Sequence, residues 1–586
     1  MFKLILKHFR TKDYFAMMFI IAFVFLQVFL ELKIPDFMSE ITVLVQTQGS
    51  SMADILLAGG KMLLCAVCSA LCAVVVGFFV AKVASAFSKN LRSSLFSQIQ
   101  SYSSKEIKSF STASLITRTT NDILQIKRFL AMGLSSLIKA PTMAIWAIIK
   151  ILGKSFQWSI ATATAVIVLL VAIITIISFV IPKFRRMQTL TDNLNRVTRE
   201  NLVGLKVVRA YNAEEYQQNK FEIANNELTD NSTSAHKIMS AMSPLMSSIM
   251  SFLPLSIYWI GAYLINSAHV VDKLTIFSDM VVFSSYAIQV VMSFVMLVMI
   301  FIMLPRASVA VKRVNEVLNT KSSILDGAGV IVDENEKGTV EFKAVDFKYT
   351  DADEKVLSNI SFKVNKGETI AFIGSTGSGK STLINLVPRF YDAVSGEVLV
   401  DGKNVKDYKL EDLRNRIGYV SQRAVLFSGT VESNIAFGSG EKEITPDDVD
   451  KAINVSQSGN FVEEMGKGVK SKISQGGKNV SGGQKQRLSI ARALAKKPEI
   501  LIFDDSFSAL DYKTDKTLRQ ALKEECDDAT LLIVAQRIGT IKDADQIMVL
   551  EAGEVVGLGK HEELLKNCEV YKEIALSQLS EEELHG

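Results

Sequence analysis

The chain has few of the features that mark several protein classes. Its 586 residues include only five cysteines, three of them in one apolar segment and two far apart: Cys65, Cys68, Cys72, Cys526 and Cys568. That spacing predicts neither a disulfide framework nor a zinc site. Lysine and arginine number 65 against 61 acidic residues, a net charge of +4. Such a balance does not indicate a nucleic-acid partner, and we expect none.

Apolar residues are abundant, at 48% of the chain with a mean hydropathy of +0.25, which excludes a disordered or fibrous protein. They concentrate in six uncharged stretches of the first half: Tyr14–Leu30, Met62–Ala81, Ala140–Ile149, Ser155–Pro182, Ile238–Val271 and Met280–Pro305. A membrane-spanning helix needs about 20 mostly apolar residues. The third stretch reaches that length over Leu134–Leu152 if Lys139 and Lys150 extend toward its two ends. The sequence therefore predicts six spanning helices.

The loops between these stretches predict the orientation. Loops 82–139 and 182–237 each carry nine lysines and arginines, whereas the segments on the opposite side carry few. By the positive-inside rule, both termini and both long loops are cytoplasmic. The first stretch lacks a small-residue cleavage pattern and precedes five more, so it is interpreted as a retained helix and not a secretory signal. We expect a multi-pass protein of the plasma membrane in a bacterial cell.

The composition changes after Pro305. A charged helix and a linker are followed by β-rich runs that alternate with helical segments: Val340–Phe347, Thr369–Ile373, Val398–Val400, Ile500–Phe503, Thr530–Val534 and Gln546–Val549. That alternation is typical of an α/β domain built on a parallel sheet. The predicted organisation is a six-helix all-α transmembrane domain at 1–320, a linker at 321–337 and an α/β domain at 338–586.

A phosphate-binding loop follows the run Thr369–Ile373, and a helical segment follows the loop. Its residues are Gly374, Ser375, Thr376, Gly377, Ser378, Gly379, Lys380, Ser381 and Thr382. Glycines at these positions let backbone N–H groups turn inward around phosphates at the positive end of a helix. Lys380 is predicted to reach the β- and γ-phosphates, and the Ser381 hydroxyl to ligate Mg²⁺.

Two further motifs lie C-terminal to this loop. Asp504 ends a buried apolar run, where a P-loop ATPase holds its Mg²⁺. A second helix start carries Ser481, Gly482, Gly483 and Gln484, and it predicts another phosphate-binding terminus. One γ-phosphate does not need two such termini from one chain, so we infer a nucleotide held between two ATPase domains.

With the phosphate loop, Ser481–Gln484 and Asp504 in this order, the chain resembles the ABC transporter family. The membrane half resembles its exporter branch, with coupling regions at 113–122 and 200–215. The resemblance implies that ATP and Mg²⁺ bind, that Tyr349 stacks on adenine and that Gln422 links the Mg²⁺ site to the membrane domain. It also implies that Ser508 to Asp511 lie at the contact between two ATPase domains.

The chain departs from that family's pattern where the reaction takes place. Asp505 stands where the family usually carries a catalytic glutamate, and Gln536 replaces the usual switch histidine; Gln475 replaces an acidic residue before Ser481. A shorter carboxylate reaches attacking water less well, and an amide cannot carry the charge of an imidazole or exchange protons as it does. Nucleotide binding is expected to survive while hydrolysis is slow, the alternative being a working variant site. The pattern resembles one half of a heterodimeric exporter whose homologous partner supplies the glutamate and the histidine.

The membrane spans indicate the substrate less clearly than the motifs indicate ATP binding. Conspicuous polar residues there are Glu31, Gln27 and Gln289, and nine of the 20 methionines lie between Met239 and Met303. Flexible thioethers suit a cavity for varied apolar ligands, although helix and lipid packing explains them equally well. We predict ATP-driven efflux of hydrophobic or amphipathic small molecules, of the multidrug type, by a protein in contact with membrane lipids. A lipid or lipid-linked substrate flippase, a peptide exporter and an ATP-gated channel or regulatory subunit are the alternatives.

Overall fold

The computed structural model describes residues 9–47, 49–152, 154–269, 272–350, 352–438 and 443–578. The chain divides into two compact units. The helical unit comprises Met1–Gln100 and Ala113–Thr320, and the α/β unit comprises Ser101–Thr112 and Lys321–Gly586. A short segment from the first half of the sequence therefore belongs to the α/β unit.

The first half of the chain forms helices of very unequal length. In chain order these are α1 (Thr11–Gln46), α2 (Met52–Gln100), α3 (Ser104–Phe110), α4 (Thr112–Thr117), a π-helical turn (Arg118–Asp122), α5 (Ile123–Leu152), α6 (Phe156–Val203), α7 (Leu205–Ala210), α8 (Glu214–Ser240), α9 (Met242–Ser267) and α10 (Lys273–Asn319). Among the described residues, six helical stretches are long and apolar enough to cross a membrane: Thr11–Gln46, Met52–Gln100, Thr112–Leu152, Phe156–Val203, Glu214–Ser267 and Lys273–Asn319. The prediction of six spanning helices is confirmed. The predicted end of the fifth span, Val271, lies outside the described residues.

The long helices bury one stripe and expose the rest of their apolar surface. On α1 the stripe falls at every fourth residue, at Ile20, Val24, Val28 and Leu32, each at most 2% exposed. That spacing places one face of a helix against its neighbours. Elsewhere, large apolar side chains stay open, such as Leu64 on α2 at 64% exposure. Apolar surface of this kind needs a hydrocarbon environment, in agreement with six spans.

The α/β unit alternates strands and helices after Lys321. Its strands are β1 (Val340–Phe347), β2 (Leu357–Val364), β3 (Thr369–Gly374), β4 (Ser395–Val400), β5 (Lys403–Asn404), β6 (Ile417–Val420), β7 (Gly429–Thr430), β8 (Lys472–Ile473), β9 (Ile500–Asp504), β10 (Thr530–Val534), β11 (Gln546–Glu551) and β12 (Glu554–Gly559). Its later helices are α11 (Lys380–Ile384), α12 (Leu410–Asn415), α13 (Val431–Ile435), α14 (Pro446–Val455), α15 (Gly459–Glu464), α16 (Gly482–Ala495), α17 (Tyr512–Glu525), α18 (Ile538–Ile541), α19 (His561–Asn567) and α20 (Glu569–Leu576).

Two main sheets organise this unit. The larger has six strands in the order β12-β11-β3-β10-β9-β6, with parallel pairing from β11 to β6 and an antiparallel edge at β12. The smaller has the order β2-β1-β4-β5 and is antiparallel. The predicted parallel sheet is present, but two of the runs predicted for the domain, β1 and β4, belong to the antiparallel sheet. Alternating burial along a strand does not specify its pairing partner.

Core side chains lie on both faces of the parallel sheet. Along β3, Ile370 and Phe372 join a core that includes the antiparallel sheet, whereas Ala371 and Ile373 join a core that includes helix α16. Successive residues of a strand point to opposite faces, so a strand buried on both sides is apolar throughout. Strands β3 and β9 lie on either side of β10, and the candidate site is built at the carboxyl ends of these strands.

Candidate functional site

The phosphate loop joins the end of β3 to the start of α11. Gly374, Gly377 and Gly379 have φ of +152°, +88° and +96°, a region that L side chains avoid. A Cβ at Gly374 would lie 2.0 Å from the carbonyl oxygen of Leu550, and one at Gly379 would lie 2.7 Å from Leu357 Cδ2. The loop therefore requires glycine at both ends, and its close backbone course forms a cradle for an anion.

Lys380 lies inside this loop. Its Nζ donates to the carbonyl oxygens of Gly374 and Ser375, both at 2.7 Å, and to Ser378 Oγ at 3.2 Å. The side chain is buried, and burial lowers the pKa of Lys380 although Asp505 and Asp504 oppose that shift. A buried ammonium is stabilised by added negative charge, so the loop fits a polyphosphate.

Ser381 and Asp504 come together although 123 residues separate them. Ser381 Oγ donates to Asp504 Oδ1 at 2.6 Å. Burial raises the pKa of Asp504, while the bond from Ser381 lowers it. The Ser381 hydroxyl and the buried Asp504 carboxylate are oxygen ligands of the kind that suit Mg²⁺. This ion takes one or two protein carboxylates and completes its shell with phosphate and water. Within the described ranges no group of three or more His, Cys, Asp or Glu side chains could hold a metal by itself.

Asp505 follows directly and has different partners. Its Oδ2 accepts from Gln536 Nε2 at 2.8 Å and from Gln422 Nε2 at 3.2 Å. The residue is buried and has φ +48°, a left-handed conformation that aspartate tolerates better than most side chains. Asp505, Gln422 and Gln536 are therefore in one hydrogen-bonded group.

The second predicted phosphate-binding terminus is the start of α16. Ser481 caps it: its Oγ accepts from the Gln484 N–H at 3.3 Å, and its own N–H donates to Gln484 Oε1 at 2.9 Å. Ser481 and Gly482 are exposed, and a Cβ at Gly482 would meet nothing within 4 Å. A Cβ at Gly483 would lie 3.2 Å from the Ala509 carbonyl oxygen. This helix start is therefore at the surface, next to the segment that contains Ala509.

Tyr349 lies near the phosphate loop and has a neighbour that the sequence did not suggest. Its hydroxyl is 3.0 Å from Thr382 Oγ1, the last residue of the phosphate-loop motif. Lys108, from the segment Ser101–Thr112, places its Nζ 4.7 Å from the centroid of the Tyr349 ring. Sequence reasoning missed Lys108 because no motif surrounds it.

The coupling region predicted at 113–122 contacts α10 of the helical unit. Arg118 donates to Glu316 Oε2 at 2.7 Å, and Arg313 pairs with Asp122 at 3.3 Å. The segment that belongs to the α/β unit, Ser101–Thr112, lies directly before it in the chain.

The spanning helices contain more paired charge than the sequence suggested. Glu31 accepts from Lys139 and from Gln27, at 2.8 Å and 2.9 Å. Asp36 accepts from Lys150 at 2.7 Å. The two lysines expected at opposite ends of the third span therefore both pair with carboxylates of α1. Pairing between helices lowers the penalty of placing each charge in an apolar surrounding.

The comparisons with known proteins agree with this geometry. Residues 357–508 match the ABC transporter domain, and residues 17–294 match the ABC transporter transmembrane region. An uncharacterised ABC transporter ATP-binding protein of Mycobacterium tuberculosis is 37% identical over 511 residues, 87% of this chain and 86% of that protein. The ABC transporter ATP-binding protein YfiB of Bacillus subtilis is 35% identical over 86% of each chain. An ATP-dependent lipid A-core flippase of Vibrio vulnificus is 31% identical over 80% of this chain and 79% of its own.

The fold is likewise that of an exporter. The structure of a bacterial Atm1-family ABC exporter with ATP bound aligns with a TM-score of 0.82 at 23% identity, covering 97% of this chain and all of the other. These findings define a multi-pass membrane protein whose ATP-binding domain hydrolyses ATP to drive transport. The chain belongs to the ABC transporter family.

Proposed function

We propose that this chain is one half of a heterodimeric exporter, and that its own phosphate loop binds MgATP but hydrolyses it slowly. The observation that carries the proposal is the hydrogen-bonded group of Asp505, Gln422 and Gln536. The proposal goes beyond ABC transporter membership, because it assigns different work to the two nucleotide sites of the assembly.

The binding residues are those that hold phosphate and metal. Lys380 pairs with the β- and γ-phosphates, the loop from Gly374 to Thr382 donates backbone N–H groups, and Tyr349 takes the adenine ring. Ser381 and Asp504 would hold Mg²⁺, and Gln422, which donates to the adjacent Asp505, is assigned to the same site. Bound Mg²⁺ neutralises phosphate charge, and its oxygen shell suits the Ser381 and Asp504 oxygens.

The residues that act on water are poorly suited to that task. A glutamate places its carboxylate one methylene, about 1.5 Å, further from the backbone than Asp505 does. The bonds from Gln422 and Gln536 hold Oδ2 of Asp505 within the site. Gln536 donates an amide hydrogen but cannot exchange a proton near neutral pH, as a histidine does. Proton transfer by a positioned base contributes about 10²- to 10⁴-fold to rate, so a displaced base lowers turnover strongly.

The exposed start of α16 supports a role in completing the nucleotide site of the partner half. Ser481 and Gly482 are exposed, and the capping box already orders this helix terminus. A preordered, positively polarised terminus at the surface can receive phosphate held by another chain. We therefore assign Ser481 to Gln484 to the partner's hydrolytic site, where the partner supplies glutamate and histidine.

The proposed substrate is a hydrophobic or amphipathic compound. The match to a lipid A-core flippase favours a lipid-like molecule within that class. Proteoliposomes containing the complete transporter would separate two possibilities, using a fluorescent phospholipid in one preparation and a cationic apolar dye in the other. ATP-dependent movement of the lipid alone would support a flippase, and movement of the dye would support multidrug efflux.

The division of labour is tested by comparing the chain alone with the chain copurified with its partner half. We expect ATP binding by both preparations and steady ATP hydrolysis chiefly by the pair. Robust hydrolysis by a homogeneous preparation of this chain would contradict the proposal.

A further inference from the structure

The segment Ser101–Thr112 is held in a defined position in the α/β unit. Ser103 caps α3, donating from Oγ to Glu106 Oε2 at 2.5 Å and from its N–H to the same oxygen at 3.0 Å. Ser103 Oγ also lies 3.1 Å from Ser323 Oγ. Tyr102 stacks on Phe110 at 5.9 Å, closing the segment on itself. The segment is thus ordered by its own capping box and by a hydrogen bond to the start of the later chain.

Lys108 extends from this segment over two aromatic rings. Its Nζ lies 4.7 Å from the Tyr349 centroid and 5.4 Å from the Tyr391 centroid. A side-chain hydrogen bond to Tyr391 raises the pKa of Lys108, so the side chain is cationic at neutral pH. A cation within about 6 Å of a ring centroid is attracted to the π face.

Tyr349 is held at several points. Its ring meets Tyr391 edge-on at 5.3 Å and Phe347 edge-on at 4.9 Å, and its hydroxyl lies 3.0 Å from Thr382 Oγ1. Lys108 contacts the same ring from a part of the chain more than 200 residues away. The orientation of Tyr349 therefore depends on Lys108 as well as on its neighbours in sequence.

We propose that Lys108 is a positioning residue for nucleotide-base recognition: it fixes the ring of Tyr349 for the adenine, so that base binding and the docking of segment 101–112 stabilise each other. The proposal rests on the proposed role of Tyr349. By linkage, if Lys108 strengthens base binding, the bound base strengthens the Lys108 contact by the same factor. The segment is continuous in sequence with the end of α2 and the start of α4, so the loop between two spanning helices responds to the base of the nucleotide.

The test separates the base from the phosphates. ATP and inorganic tripolyphosphate are each titrated, by displacement of a fluorescent ATP analogue, against the full chain in lipid nanodiscs. We expect Lys108→Met to lower the affinity for ATP by about two- to fivefold, which corresponds to the loss of an exposed cation–π contact. The affinity for tripolyphosphate should not change. Lys105→Met is the matched control: Lys105 and Lys108 line one cavity of about 380 Å³, but it is Lys108 whose Nζ lies over the two tyrosine rings. It should change neither affinity.

Three outcomes would overturn the inference. In the first, Tyr349→Leu lowers the affinity for ATP but Lys108→Met does not. Tyr349 would then remain the base-binding residue, and Lys108 would have no part in recognition. Tighter ATP binding in Lys108→Met would mean that Lys108 competes with the base. Equal losses for ATP and tripolyphosphate would mean that the lysine acts only through its charge.

Failure of the proposed function would give a different result. In that case, Tyr349→Leu would not lower the affinity for ATP, or the unmodified chain would not bind ATP at all. Hydrogen exchange supplies a second readout: in the unmodified chain, ATP should slow amide exchange across 101–112 more than tripolyphosphate does. In Lys108→Met that difference should disappear.

Discussion

The two parts of the nucleotide site differ in how completely they are equipped. In the part that holds phosphate, Lys380 lies among loop oxygens and Ser381 bonds to Asp504 at 2.6 Å. In the part that we assign to the reaction with water, the short carboxylate of Asp505 accepts hydrogen bonds from two amides, Gln536 and Gln422. Both parts lie at the same edge of one sheet, at adjacent residues 504 and 505. Our proposal is that binding a nucleotide and hydrolysing it are separable properties of these neighbouring side chains.

The largest predicted effect comes from the exposed terminus of α16. In the transporter containing both halves, Ser481→Arg should lower steady-state ATP turnover by about 10²- to 10³-fold, the usual consequence of losing a donor to transition-state charge. Asp505→Ala should leave a substantial fraction, because that site contributes little turnover. Hydrolysis by the two complexes, compared at equal thermal stability, measures the difference. Equal loss in both variants would contradict the division of labour.

The next effect concerns binding. Lys380→Met removes charge-assisted bonds, which contribute about 1.5–3 kcal/mol each, so ATP affinity should fall about 10- to 150-fold. Displacement of a fluorescent ATP analogue measures it, with the exposed Lys363→Met as the control that should bind normally. If Lys380→Met bound ATP as the unmodified chain does, the phosphate loop would not be the binding site.

Restoring the family's usual residues should sharpen the comparison. Asp505→Glu combined with Gln536→His lengthens the carboxylate and supplies a titratable ring, and we expect at least about a tenfold gain in hydrolysis at this site. The gain is read in a complex whose partner site is inactivated. Gln536→His alone serves as the control and should give a smaller gain. No gain from the double variant would mean that other residues limit the reaction.

The smallest effect is expected from Gln536 alone. Gln536→Ala removes one bond to Asp505 but touches neither Lys380 nor Ser381, so ATP affinity should stay within about twofold of the original. Calorimetric titration with MgATP is sensitive enough to test this. A loss of tenfold or more would show that the two parts of the site are not separable.

Much of the site could be predicted because its chemistry is carried by contiguous motifs. The phosphate loop needs glycine at fixed offsets, and the strand before Asp504 is apolar throughout, so both were recognisable before their contact was known. The same motifs assigned Ser381 and Asp504 to one Mg²⁺ site, and the hydrogen bond between them comes from the structure. The amide contacts to Asp505 were not predicted, because side-chain pairing depends on local geometry at the sheet edge.

The remaining differences involve residues distant in sequence with no motif to connect them. Lys108 and Tyr349 belong to one unit although the chain between them forms most of the spanning helices. The ion pair between Lys139 and Glu31 on another helix was likewise not predicted. Composition indicates that a charge needs a partner, but only the fold specifies which one.

The most direct measurement follows the γ-phosphate on each chain of the transporter during turnover. The complex is loaded with a photoreactive azido-ATP radiolabelled on the γ-phosphate, allowed about one turnover and crosslinked; a second sample carries the label on the α-phosphate. Our account predicts that this chain retains both labels, while the partner retains the α label and loses the γ label. Equal loss of the γ label from both chains would contradict it.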